Sequence, residues 1–205
     1  GHGIMDESGS TATAAYVTNE AVVVASLGDS RAVLSSAELV QNRKDSEIVM
    51  SAIQLTKDHV ASDPEEEELV RSRGGNVTVI SGWSRVNGVL AITRSIGDAS
   101  LAPVLSRIPH IVSMTRHEVK ELCGVTTLPS GQQVPCFMIL ASDGLWDKVS
   151  NQEAVDMVAE TVASYQNNTQ THDGGAFQQA SEVLTLEAYV RGSTDNIGVC
   201  VIALD

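Results

Sequence analysis

The sequence predicts an α+β domain built on antiparallel sheet, and three observations predict it. Short runs rich in β-branched residues come in succession, separated by a few polar residues, as hairpin strands are. Helical spacing is confined to three stretches, each with a recognisable start or stop signal. Strands and helices do not alternate along the chain, which argues against a parallel, doubly wound sheet.

Residues 11–17 and 21–27 form the first pair of runs, with Thr18, Asn19 and Glu20 as the turn between them. Strand character resumes at residues 31–34 after Gly28 and Asp29, and again at residues 48–55 beyond a polar loop at 41–47. Asp63-Pro64-Glu65-Glu66 opens a helix: Asp63 caps, Pro64 suits the first turn, and the glutamates face the positive end of the helix dipole. The glutamate run at 65–68 reads mainly as a solvated helix start. Gly74-Gly75 ends that helix, and residues 76–80 revert to strand. Residues 137–141 are a continuous apolar run, the mark of a buried strand. Ser150 and Glu153 form a capping box, followed by Val155, Val158, Ala159 and Val162 at helical spacing. A loop at 166–175, an amphipathic helix at 176–190 stopped by Gly192, and a strand at 197–204 complete the chain.

At 205 residues the chain suits one domain with a substantial core, built mainly from Val, Ile, Leu and Ala because aromatics are only 3%. A net charge of -13 argues against nucleic acid or anionic membrane as the main partner. No run is apolar enough to cross a bilayer, and no leader pattern stands at the start. Cys123, Cys136 and Cys200, odd in number and widely spaced, suit a reducing compartment better than a disulfide framework. Gly-x-Ser-x-Gly and Gly-Lys phosphate-loop motifs are missing, and Glu121 stands where a zinc protease would need its second histidine after His117-Glu118.

The chemistry lies in the aspartates. Asp29, Asp98, Asp143, Asp147 and Asp195 each sit in a short turn motif beside an apolar run. Asp143 directly follows the buried strand, Gly144 lets the backbone bend there, and Asp147 lies four residues on with Leu145 and Trp146 to anchor the turn. Carboxylates gathered at strand ends repel one another, and a hard divalent cation such as Mg²⁺ or Mn²⁺ removes that cost. Taken singly, Asp29 and Asp98 are better read as turn formers. Together the five point to a metal-dependent enzyme.

Read in order, Gly1-His2-Gly3, Ser8-Gly9-Ser10-Thr11-Ala12, Gly28-Asp29-Ser30-Arg31, Leu55-Thr56-x-Asp58-His59, Gly74-Gly75 and Arg85-Val86-Asn87-Gly88 are followed by Leu90-Ala91-x-x-Arg94-Ser95-x-Gly97-Asp98, Ser142-Asp143-Gly144-Leu145-Trp146-Asp147 and Ser193-x-Asp195-Asn196. The series, over nearly the whole chain, closely resembles the metal-dependent protein serine/threonine phosphatases of type 2C. That resemblance implies two antiparallel sheets packed face to face and flanked by helices, with a two-metal centre at one edge. It implies that the Gly1 carbonyl is a metal ligand and that His2 gives a proton to the leaving alkoxide. Asp143 and Asp195 match the ligands of the second metal. Asp29 and Asp147, with Asp143, match those of a weaker third ion. Asp98 matches a family position to which no ligand role is given.

The implied activity is hydrolysis of phosphoserine and phosphothreonine in proteins by a metal-activated hydroxide, with two Mg²⁺ or Mn²⁺ ions and a weaker third. A monomeric, cytoplasmic or nuclear enzyme acting on phosphorylated proteins is expected. Residues 58–85 correspond to the family's variable flap, where Trp83 either touches a protein substrate or packs the flap onto its own helix. The pattern departs from the family in three ways. No Asp precedes Gly1, the family's first strands and phosphate-binding arginine are missing, and only four residues separate Gly3 from Ser8 where a long helical segment is usual. The expectation is a single catalytic domain, 1–205, lacking those parts. The rival reading is an inactive pseudophosphatase that serves as a protein-binding module.

Overall fold

A computed structural model describes residues 7–41, 46–128, 133–168 and 175–204. Among the described residues its strands form antiparallel sheets accompanied by five α-helices, so the α+β class expected from the sequence is what is found. The first predicted hairpin is present as β2 (Ala12–Val17) and β3 (Ala21–Leu27), within a three-stranded sheet of order β2-β3-β9, where β9 is His110–Thr115. Thr18 makes the turn: its hydroxyl accepts from Glu20 N at 3.2 Å and Ala21 N at 3.0 Å. The short strand β1 (Gly9–Ser10) pairs with β8 (Ile96–Gly97).

The chain divides into two compact units. One contains Gly1–Ala15, Val24–Ser30 and Thr56–Val112. Its helix α1 (Pro64–Ser72) starts as its sequence predicts, with the Asp63 carboxylate accepting from Glu65 N and Glu66 N at 2.8 and 3.1 Å. Val70 of α1 packs with Ala61, Val86, Leu101, Val104 and Leu105 in a small apolar core. The hairpin β6 (Val77–Ile80) and β7 (Trp83–Val86) turns through Ser81 and Gly82, both at positive φ. Trp83 is 65% exposed, so it does not pack the hairpin onto its own helix.

Glu66 departs from the solvated helix start expected of its run. It is 1% exposed, because one turn of α1 carries it inward beside Val70. Its carboxylate accepts from Thr93 Oγ1 at 2.6 Å, Arg94 Nε at 3.0 Å and Arg94 Nη2 at 2.5 Å. Burial by itself would push this carboxyl up, but the hydrogen bonds from Arg94 and Thr93 outweigh it and hold the pKa below the ordinary 4.5.

The second unit contains Tyr16–Val23, Arg31–Leu55 and Ser113–Asp205. Its antiparallel sheet takes the order β11-β10-β4-β5, from β11 (Val199–Ala203), β10 (Phe137–Ala141), β4 (Arg31–Gln41) and β5 (Ser46–Gln54). β4 and β5 are longer than the sequence suggests and pair as far as Gln41 and Ser46, which takes in both ends of the expected polar loop. Helices α4 (Asn151–Asn168) and α5 (Gly175–Val190) bury their inner faces against the sheet. Val155, Val158 and Val162 are fully buried at the predicted spacing, opposite Ala176, Ala180, Leu184 and Ala188 of α5. Small side chains at i, i+4 intervals let the helices pack closely, which suits a chain poor in aromatics.

Helix α2 (Arg116–Cys123) has no counterpart among the sequence expectations, although Thr115 and Glu118 form a full capping box at its start. Its last residue, Cys123, is disulfide-bonded to Cys136, so two of the three cysteines are paired rather than reduced. The fold explains the pairing: α2 returns the chain to the foot of β10, leaving the two Cα atoms 5.8 Å apart across a sequence separation of 13. Cys200 is free and exposed. No helix is long and apolar enough to cross a membrane, among the described residues.

The Glu66–Arg94 pair generates a stability prediction. Glu66→Ala leaves a guanidinium only 14% exposed without its carboxylate, and should cost about 3–5 kcal/mol in urea unfolding. The unfolded carboxyl titrates at about 4.5 and the folded one lower, so below pH 4.5 the unfolded chain binds more protons. The pair's contribution is therefore present above pH 4.5 and lost as pH falls through the lowered folded value. Glu66→Ala should flatten that acid limb in a pH series of unfolding midpoints.

Candidate metal centre

Strand β10 brings Asp143 to its place. Phe137, Met138 and Ile139 are fully buried, and β4 and β11 pair with β10 on either side, so the strand's end is rigid. The chain then turns at Ser142 into a single helical turn, α3 (Asp143–Trp146). Leu145 and Trp146 are buried beneath that turn, as the sequence suggests. Trp146 Nε1 donates to Ala141 O at 2.9 Å, and the Arg31 guanidinium lies 5.3 Å from the Trp146 ring centroid. Arg31 also donates to Asn151 Oδ1 at 2.6 Å, which ties the start of β4 to the start of α4. Asp147 N donates to Asp143 O at 2.8 Å, so the two aspartates stand one helical turn apart on the same side.

Segment 193–198 lies against this turn. The Ser142 hydroxyl donates to Asn196 O at 2.9 Å and accepts from Gly198 N at 3.0 Å, while Ser142 N donates to Gly198 O at 3.0 Å. Ser193 Oγ donates to Gly144 O at 2.8 Å. The approach is so close that a Cβ on Gly144 would lie 2.4 Å from Asn196 O. Asp195 is carried on this clamped segment, its own carboxylate accepting from Asn196 N at 2.7 Å. Ser142, Ser193 and Gly144 position the cluster; the sequence assigns Gly144 the bend and gives Ser142 and Ser193 no role. The signal was there in their places beside Asp143 and Asp195.

The half-buried Asp143 carboxyl is pushed up, first by burial and then by the charges of Asp195 and Asp147, both exposed. Three oxygen-donor side chains thus share one region, and their mutual repulsion favours a hard cation. The donor chemistry fits Mg²⁺ or Mn²⁺ in kind. It is incomplete in number: among the described residues, no group of three or more His, Cys, Asp or Glu side chains is arranged to hold a metal ion. Gly1 and His2 lie outside the described residues. Asp29 belongs to the other unit, half-buried in the turn that follows β3. Asp98 is a turn residue with φ 49°, its carboxylate filling the space a side chain on Gly9 would need.

The sequence profile of the family described as Protein phosphatase 2C matches residues 4–197. The chain belongs to the protein phosphatase 2C family. A probable protein phosphatase 2C 68 of Oryza sativa subsp. japonica is 36% identical over 97% of this chain and 46% of its own length. A probable protein phosphatase 2C 75 of Arabidopsis thaliana is 36% identical over 96% of this chain and 44% of its own. The chain spans less than half the length of these curated phosphatase 2C relatives. Among solved structures, a C. elegans sex determining protein aligns with a TM-score of 0.69 at 25% identity, covering 97% of this chain and 41% of that one. The serine-threonine phosphatase 2C of Toxoplasma gondii aligns with a TM-score of 0.67 at 23% identity, covering 97% and 59%. The α+β fold of the phosphatase 2C family is therefore the fold of this chain.

Gly144→Ala tests the clamp. The added methyl must displace the Asn196 backbone, at a cost of about 1–3 kcal/mol. Chemical denaturation should show that loss, and amide exchange at Gly198 should rise as its bond to Ser142 loosens.

Proposed function

We propose that this chain carries the metal-dependent hydrolysis of phosphoserine and phosphothreonine in proteins. The observation that carries the reading is the Asp143, Asp147 and Asp195 cluster on the clamped end of β10, within a chain of the phosphatase 2C family. Asp143 and Asp195 would hold one of two Mg²⁺ or Mn²⁺ ions together with ligands outside the described residues. Asp147 would serve a weaker third, and Asp29, in the other unit, is a further carboxylate proposed to serve a metal ion. When bound, such ions lower the pKa of water and offset charge on the phosphoryl oxygens.

The chain's own residues do the rest. Ser142 and Ser193 hold the Asp195 segment against α3, so its carboxylate needs little reorganisation to bind. Trp146, gripped by the Ala141 carbonyl and covered by Arg31, fixes the turn from which Asp143 and Asp147 project. His2 gives a proton to the leaving serine or threonine oxygen, a step a histidine performs near neutral pH. The β6–β7 hairpin, with Val79, Ile80 and Trp83 exposed, offers an apolar surface to a protein substrate.

The pseudophosphatase reading is favoured by one observation, the lack of three converging ligands among the described residues. Aryl phosphate hydrolysis with Mn²⁺ and then with EDTA separates the two readings. The phosphatase reading expects turnover that EDTA abolishes, and a loss of about a hundredfold or more in Asp143→Ala, since several kcal/mol of charge stabilisation go with the ligand. A folded protein with neither turnover nor calorimetric Mn²⁺ binding would leave the binding module. Trp83→Ala should raise KM for a phosphoprotein and leave aryl phosphate hydrolysis unchanged.

A further inference from the structure

His59 is completely buried, on the loop between β5 and α1. A buried imidazole needs partners, and this one meets the Gly28 backbone. His59 N donates to Gly28 O at 2.9 Å, and Gly28 N lies 3.2 Å from His59 Nδ1. Nδ1 is also 3.1 Å from Gly28 O, a carbonyl that accepts from the His59 amide and has a second lone pair. In either neutral tautomer Nδ1 bonds the Gly28 backbone, as acceptor from Gly28 N or as donor to Gly28 O, while Nε2 is buried without a hydrogen-bond partner among the described residues.

Gly28 can be held only through its backbone. Its φ is +96°, and a Cβ there would lie 2.4 Å from Thr11 Cγ2. Ser30, two residues on, is gripped from the other side: Thr11 Oγ1 and Ser30 Oγ share a hydrogen bond of 2.8 Å, and Thr13 Oγ1 donates to Ser30 O at 2.9 Å. Asp29 thus stands between two clamped residues. His59 is itself seated by Thr93 N, which donates to His59 O at 3.0 Å beside the Glu66–Arg94 pair. Burial and the Arg94 charge keep the ring neutral.

We infer that His59 is a positioning residue, whose Nδ1 locks the Gly28-Asp29-Ser30 turn and so aims the Asp29 carboxylate. The inference rests on the phosphatase reading, in which Asp29 serves a metal ion, but the lock itself is measurable without activity. His59→Phe keeps ring volume and removes the hydrogen-bonding nitrogen, whereas His59→Asn keeps a hydrogen-bonding atom at the Nδ1 position.

In the full chain, His59→Phe should speed Gly28 amide exchange by about tenfold or more, and His59→Asn should restore protection. The Mn²⁺ concentration for half-maximal aryl phosphate hydrolysis should rise about tenfold in His59→Phe, the order expected when a ligand loses its orienting partner. KM for the aryl phosphate should stay within about twofold. Unchanged Gly28 protection in His59→Phe, or equal damage in both variants, overturns the inference. If His59→Phe does not fold, His59→Gln replaces it, since its amide reaches the Nε2 position instead, and protection in Asn but not Gln is the supporting result. A wild-type chain without Mn²⁺-dependent turnover sinks the phosphatase reading, and the exchange comparison then decides the lock.

Discussion

Asp143 is an anion held at the end of a strand that is buried and hydrogen-bonded on both sides, with Asp147 and Asp195 close enough to push its carboxyl up. Such an arrangement works against itself electrostatically, and the surrounding structure serves to maintain it. Trp146 and Leu145 pin the turn from below, Ser142 and Ser193 tie in the segment bearing Asp195, and Gly144 keeps the gap between them narrow. Packing energy in the β10–α4–α5 core resists the repulsion, since a strand filled by Phe137 and Ile139 cannot shift without opening a cavity. Repulsion maintained by packing is what suits these carboxylates to the proposed cation site.

The other unit solves a related problem with the opposite device. There the buried anion, Glu66, is compensated by Arg94 and Thr93, and the result is a depressed carboxyl. Its role is structural. The pair seats residues 93 and 94, Thr93 holds the His59 backbone, and His59 grips Gly28. One network thus connects helix α1 to the turn that carries Asp29.

Local signals carried much of the fold. The continuous apolar run of β10, the cap at Asp63, the capping box at Ser150 and the valine spacing of α4 all reappear at the expected places, because each is decided within a few residues of chain. Helix α2, absent from the sequence expectations, has an equally local signal in the capping box of Thr115 and Glu118. The ends of the polar loop at 41–47 became strand because β4 and β5 extend one another's ladder, and a partner strand overrides weak local preference.

The sequence by itself determined the family and the α+β class, and it singled out the aspartates of the proposed site, since motif order and periodicity are properties of the chain. Only the tertiary structure decided which side chains meet. It buried Glu66 out of a run of four glutamates and paired it with Arg94, 28 residues away. It joined Cys123 to Cys136 by folding α2 back to β10. It set Ser142 against Asn196 across 54 residues, and His59 against Gly28 across 31. Hydrogen bonding and burial act through space, and separations of that length leave no periodicity in the sequence from which a contact could be read.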